Sequence, residues 1–568
     1  MPFELINVQR QQMQRQQLRS RDNPVSRLTR RAHIQQKEFF ILQPSRKLTR
    51  IDMLYCNHRL TILTKLFKNN HDTLMIALKH PAPHLALMLM LALVSPSVWS
   101  DPYAKLPDMG EAIDRDITTQ EELVMGLGFY KALRQQATLI ENPMLNYYIQ
   151  SLGQRLASAS GWQAYPFHFS IIKDDEINAF AAPGGYISIF SGLMLRTENE
   201  NELTGVMAHE MAHVTQRHIA RMIVGRGSID LTTLAAVAAA LVIGAASGSS
   251  DAGMAAASLG MAGVMQQQIN FTRENEYEAD RIGIKILADA QFDPSGMVSF
   301  FDKLNRQEAD GFYAHNELLR THPVTTNRIA EASNRASLER PGKILNTPDY
   351  AYAKATLAAE LTAQPLVSAS LLAKTDSKNT PAVSRYNYAL LLARAGQGQA
   401  ALDILNALYA KNPENLWIGI ALADTQHQLK HDQAASQTLQ KQLTYYPDHP
   451  VLSLKLAQLW MEDDPERAYP FLRQALRNAP HNDALLGALA EAAERTNRPI
   501  EHHEALGMYF MAQQRLPEAL SEFETARAFT QQSPQGDALI ARQRLDAQIK
   551  LVEVQILAVR ERKKEKGM

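Results

Sequence analysis

The chain has 568 residues, 45 % of them hydrophobic and 21 % charged, which is enough to bury the cores of two or more globular domains. Lys+Arg and Asp+Glu both total 59, yet residues 1–74 hold 14 basic against 5 acidic side chains, and residues 101–568 hold 44 against 54. A mildly acidic body without a basic stripe argues against nucleic acid as the main partner, because phosphate binding needs clustered Lys and Arg.

Residues 1–74, rich in Gln and Arg, read as a disordered leader, upstream sequence from a misassigned start; a basic tail touching anionic surfaces, and so a peripheral membrane contact, is the other reading. Residues 75–100 read as a secretory signal peptide. Lys79 supplies its positive charge, the apolar run Leu85 to Val94 is too short to span a bilayer, and Val98 with Ser100 sets small residues at a cut after Ser100. The only cysteine, Cys56, lies in the leader, so the exported body has no disulfide and any metal site must use His and carboxylates.

Residues 101–162 carry apolar positions at three-and-four spacings and predict a helical lead-in. Phe167 to Ile172 alternates like a strand, and Gly184 to Ser191 reads as a second strand begun by glycine, just before a helix over residues 200–223. That second strand, near Tyr186–Phe190, is a candidate sheet edge to which an extended peptide substrate could pair. Residues 231–247 and 252–265 are apolar but each too short to cross a bilayer; they are expected as helices near the site, with a membrane hairpin as the alternative.

Past residue 340 the composition shifts to Ala, Leu, Gln and Asn. Asn412-Pro413, Tyr446-Pro447 and Ala479-Pro480 recur at spacings of 34 and 33, the tetratricopeptide period, so about four helix pairs are expected, irregular near residues 490–500. Such arrays form concave surfaces that bind other proteins. The expected domains are a peptidase domain over 101–340, a helical linker over 341–383, repeats over 384–540 and a C-terminal helix over 541–568. The fold class is α+β: a mainly helical catalytic domain with a small sheet, then an all-α solenoid.

The chemistry centres on His209-Glu210-Met211-Ala212-His213. Two histidines four apart stack on one helix face and can ligate one metal, and the Glu beside them can act as general base. A hydrolytic zinc wants a third protein ligand and leaves a place for water, whose pKa it lowers to about 7. His218, nine residues past His209, would lie on the opposite face of a continuous helix and is expected as a surface or packing residue. Asp230 is the one carboxylate in residues 214–250. The richer candidate is Glu274 to Asp280, where Glu276 and Asp280 share a helix face; one carboxylate can ligate while the other holds a ligating imidazole by its free N–H. Glu274 and Glu278 form a competing pair on another face, otherwise a solvated acidic surface.

Val206-Met-Ala-His209-Glu210-Met-Ala-His213, Glu276-Tyr-Glu-Ala-Asp280, Thr321-His322-Pro323 with Arg328, and Asn178-Ala-Phe-Ala-Ala-Pro-Gly-Gly resemble the HtpX and CAAX prenyl protease group of gluzincins. Joined to a signal peptide and repeats, the arrangement is similar to the periplasmic β-barrel assembly-enhancing proteases of Gram-negative bacteria. The resemblance implies one zinc ion per chain on His209, His213 and Glu276, with Glu210 activating water and Asp280 supporting a ligand. It further implies that His322 can occupy the water position and hold the enzyme latent; a loop residue that hydrogen-bonds nearby or steadies the tetrahedral intermediate is the other role for it. It implies a periplasmic location, with outer-membrane β-barrel proteins and their assembly machinery as partners of the repeats, for cleavage, for chaperoning, or for binding by a largely latched module.

Overall fold

A computed structural model describes residues 117–224, 272–309, 317–340, 342, 347–373, 380–531 and 536–565. The expected leader over 1–74 and signal peptide over 75–100, with Cys56, Asp230 and the apolar segments 231–247 and 252–265, lie outside the described residues. No helix among the described residues is long and apolar enough to cross a membrane.

The lead-in folds as α1 (Thr119–Gln136) and α2 (Pro143–Ser160). Thr118 opens α1 with a capping box to Glu121, and Asn142 accepts from Met144 N and Leu145 N at the start of α2. Three strands follow: β1 (His168–Ile172), β2 (Ala179–Ala182) and β3 (Tyr186–Phe190). β1 and β3 run parallel from His168↔Tyr186 to Ile172↔Phe190, while β2 pairs antiparallel with β3 from Ala179↔Ile189 to Ala182↔Tyr186.

The sheet order is therefore β1-β3-β2, which corrects the expectation for Tyr186–Phe190. That strand is central and wholly buried; β1 and β2 are the edges. The sequence hid β2 because Ala-Phe-Ala-Ala has little strand propensity. Pro183-Gly184-Gly185, with φ of 74° and 82° at the two glycines, turns the chain back so tightly that β2 covers the side of β3 expected to be open.

After the short α3 (Ser191–Arg196), the motif helix α4 (Glu200–Thr215) is buried from Glu200 to Val214. The expected helix over 200–223 is broken. Arg217 takes a left-handed φ of 52°, and α5 (His218–Val224) starts in a new direction. The Arg217 side chain, itself buried, donates to Glu122 of α1 and to the Ile117 carbonyl, so the break is fastened to the lead-in. Next come α6 (Arg273–Asp289), α7 (Ser295–Ala309), α8 (Glu317–Thr321) and α9 (Thr326–Leu338).

α10 (Pro348–Leu361) and α11 (Pro365–Ala373) lead to the repeats. Helices Ala382–Arg394, Gly398–Lys411, Leu416–Gln428, Asp432–Tyr445, Pro450–Asp463, Pro465–Asn478, Asp483–Arg495, Pro499–Ala512, Leu516–Thr530 and Gly536–Glu565 form five pairs. The three expected Xaa-Pro stops fall one residue past helix ends, because proline cannot continue a helix and keeps its predecessor extended. The pair over 483–512 is regular rather than irregular, its first helix capped by Asn482. The array joins the region around α4 through Tyr148 of α2, whose ring meets Trp417 edge-on at 6.1 Å and whose hydroxyl donates to Glu200 at the start of α4.

Candidate metal centre

The site is assembled by three segments distant in sequence. On α4, one helical turn brings His209 Nε2 and His213 Nε2 to 3.1 Å. α6 crosses α4 closely enough that a Cβ on Gly283 would meet Ala208 O at 3.2 Å and the flexible end of Met297, Cε, at 2.8 Å, so the backbones approach tightly there. The close approach carries Glu276 to the histidines, with Oε2 3.5 Å from His209 Nε2 and Oε1 3.5 Å from His213 Nε2. His322, just past α8, completes the group: its Nδ1 lies 2.9 Å from Glu276 Oε1 and 3.4 Å from His209 Nε2.

One donor atom from each of His209, His213, Glu276 and His322 falls within 4.8 Å of the others, and all four residues are buried. Three imidazoles and a carboxylate without sulfur suit a borderline cation in a four-coordinate shell. The sequence-expected candidates thus converge. Glu210 points its carboxylate into the same space: both oxygens are buried without a hydrogen-bond partner, and Oε1 is 3.6 Å from His322 Nε2. A buried carboxylate in that condition is costly, and such groups persist where function requires them.

Asp280, one turn after Glu276, sets Oδ1 3.0 Å from His209 Nδ1. Arg328 of α9 grips the same carboxylate with two bonds of 2.8 Å, reaches Glu276 Oε2 at 2.8 Å and donates to the Pro323 carbonyl. No role was read for Arg328 in the sequence; the available signal was a basic residue one turn into a helix capped by Thr325, directly after His322-Pro323. His218 is fully buried rather than at the surface. Its Nδ1 lies 2.8 Å from His213 Nδ1 and its Nε2 3.1 Å from Glu278 Oε2, which also accepts from Arg221 at 3.0 Å. Glu278, although partly exposed, is thus paired with His218 and Arg221.

These contacts set the charges. Burial alone would lower the His209 pKa, but the adjoining Asp280 and Glu276 carboxylates outweigh it and push the group up to about 10. His213 is equally buried, and there desolvation wins, driving it well below the ordinary imidazole range. Burial raises Glu276 and Asp280, yet the histidines around the first and Arg328 with His209 at the second hold both below the usual carboxylate range. The Glu276 and Asp280 carboxylates are thus held ionised against a protonated His209 and Arg328, and a cation taking His209 as a ligand would have to displace that proton.

A family model described as Peptidase family M48 matches residues 143–336, and a tetratricopeptide repeat model matches 392–459. The chain is 34 % identical over 450 residues to the β-barrel assembly-enhancing protease of Escherichia coli (strain K12), covering 78 % of this chain and 91 % of that protein. It is 34 % identical over 414 residues to the protein of the same name from Yersinia pestis, covering 71 % and 84 %. The metalloprotease LoiP of Escherichia coli (strain K12) is 29 % identical over 176 residues, covering 31 % of this chain and 64 % of its own.

Proposed function

Because this chain belongs to the β-barrel assembly-enhancing proteases, M48 metallopeptidases that carry tetratricopeptide repeats, we propose that it is a periplasmic zinc endopeptidase acting on outer-membrane β-barrel proteins. The observation that carries this reading is the unpartnered Glu210 carboxylate facing the His209, His213, Glu276 and His322 cluster.

His209, His213 and Glu276 would hold one zinc ion, which when bound supplies the Lewis acidity that acidifies water and polarises a carbonyl. Glu210 takes the proton of the attacking water and passes it to the leaving amine. Asp280, with Oδ1 3.0 Å from His209 Nδ1, holds the orientation of that ring, and Arg328 keeps Asp280 ionised and in place. The repeats dock the clients or their assembly machinery, so that misassembled chains are cut and others are helped to fold.

The position of His322 supports a latent state, since a fourth protein donor closes the shell that hydrolysis needs open. Its segment is tethered beside the sheet: Leu318 N donates to the carbonyl of Ile177, two residues before the edge strand β2. Releasing α8 would take His322 away from the cluster and open the fourth position. A binding module whose site stays latched is the rival.

The deciding test is cleavage of an unfolded β-barrel protein by the purified protein, with zinc counted by mass spectrometry, for the unmodified chain, Glu210→Gln and His322→Ala. Cleavage that needs Glu210 and rises in His322→Ala at about one zinc per chain supports the latched protease. Zinc-loaded protein that never cuts, whatever the variant, supports the binding module.

A further inference from the structure

The two histidines of α4 are held from behind by different means. His209 meets a carboxylate directly, Asp280 at 3.0 Å, and that carboxylate is gripped by Arg328. His213 meets an imidazole: His218 Nδ1 is 2.8 Å from its Nδ1, and the far nitrogen of His218 faces Glu278, which is gripped by Arg221. Each ligand is thereby backed by an acid and an arginine, with one extra ring interposed on the His213 side.

Proton accounting fixes what that ring does. His213 directs Nε2 at the cluster, since this atom faces His209 Nε2 and Glu276 Oε1. Its Nδ1 then carries the hydrogen, and a ligating imidazole donates that hydrogen outward. His218 Nδ1 must therefore be the acceptor, which puts the His218 proton on Nε2, where Glu278 Oε2 accepts it at 3.1 Å. With His213 Nε2 kept free for a metal, each of these contacts then pairs one donor with one acceptor.

We infer that His218, with Glu278 and Arg221 behind it, is a positioning residue for the metal: it fixes the tautomer of His213 and, as Asp280 does for His209, the orientation of its ring. The left-handed turn at Arg217 exists in the right place for this, because it folds α5 back so that a residue nine positions past His209 returns to the same site. The inference rests on the metal-site reading and adds residues to it.

The test measures zinc affinity by competition with a chromophoric chelator, and the visible absorption of the cobalt(II)-substituted protein, neither of which needs turnover. His218→Leu is expected to lower zinc affinity about 10- to 100-fold and to change the cobalt bands. His218→Gln, which keeps an acceptor and a donor on one side chain, should recover most of the affinity, whereas a merely space-filling role would be served as well by Leu. Glu278→Ala, at a partly exposed position, should fall part of the way and covers the case in which His218→Leu does not fold. Wild-type affinity and an unchanged cobalt spectrum in folded His218→Leu, or in Glu278→Ala, overturn the inference alone. A wild type that binds metal no better than His209→Ala overturns the site reading and this inference with it.

Discussion

The peptidase region and the repeat array are both mostly helical and share one apolar core, but around its metal centre the peptidase region adds a network of buried charges drawn from distant segments. Around the metal centre, His209 touches Asp280, Asp280 touches Arg328, and all three are nearly inaccessible to solvent. The partners lie 71 and 48 residues apart in sequence, and each is a charge that tolerates burial only because the next one faces it. In the array the packing is mostly apolar and between neighbours, as where the Phe523 ring lies against Gly507 of the preceding helix, so stability adds up unit by unit. The first region should therefore fail as a whole when one charge is removed, and the second should weaken by increments.

The largest effect expected separates chemistry from both kinds of packing. Glu210→Gln should reduce cleavage of an unfolded β-barrel substrate by about 100- to 10,000-fold with zinc content and melting temperature unchanged, because Glu210 engages no hydrogen-bond partner whose loss would loosen the fold. A fall in melting temperature would mean that Glu210 belongs to the packing after all.

Arg328→Met should follow, costing about 3–5 kcal/mol in urea denaturation of the metal-free protein, since it leaves the Asp280 and Glu276 carboxylates buried without their cation. A cost below about 1 kcal/mol would erase the contrast between the regions. Leu405→Ala, fully buried in the first repeat pair, should cost about 2–4 kcal/mol, and hydrogen exchange should place the loss in the repeats with α4 still protected. Protection lost equally in α4 would show that the array and the peptidase unfold as one unit.

The smallest effect lies where the regions meet. His449 of the array is buried against the Tyr147 ring at a centroid distance of 4.3 Å, neither ring nitrogen has a hydrogen-bond partner, and burial pushes its pKa down to about 4. The unfolded chain binds this proton near pH 6.5 and the native one only near pH 4, so stability falls as pH drops through that window and levels off below it. About 2.5 kcal/mol of acid sensitivity should disappear in His449→Phe, measured as denaturation midpoints at pH 7.5 and pH 4.5. An equal pH dependence in the variant would assign it to other groups.

The residues whose meaning is local were readable before the fold was known. His209 and His213 declare themselves by a four-residue spacing that any α-helix converts into one face, and Glu276 with Asp280 does so by the same rule. The repeats were legible through the proline stops at 413, 447 and 480, because proline acts on the residues beside it. The reading failed where one local rule was extended too far. Treating residues 200–223 as a single helix sent His218 to the wrong face, and weak strand propensity concealed β2 and misplaced the sheet edge.

Sequence alone thus determined which residue types could bind a metal, which helices would carry them and that a helical array follows, since helical periodicity and chain stops depend on neighbours a few positions away. Only the tertiary structure decided that Arg328 neutralises Asp280, that Glu278 is paired with His218 and Arg221, and that His218 stands behind His213. Those outcomes hang on the left-handed residue Arg217, whose side chain is anchored 95 residues back at Glu122. A backbone break stabilised by a partner that remote leaves no periodic trace in the segment it bends.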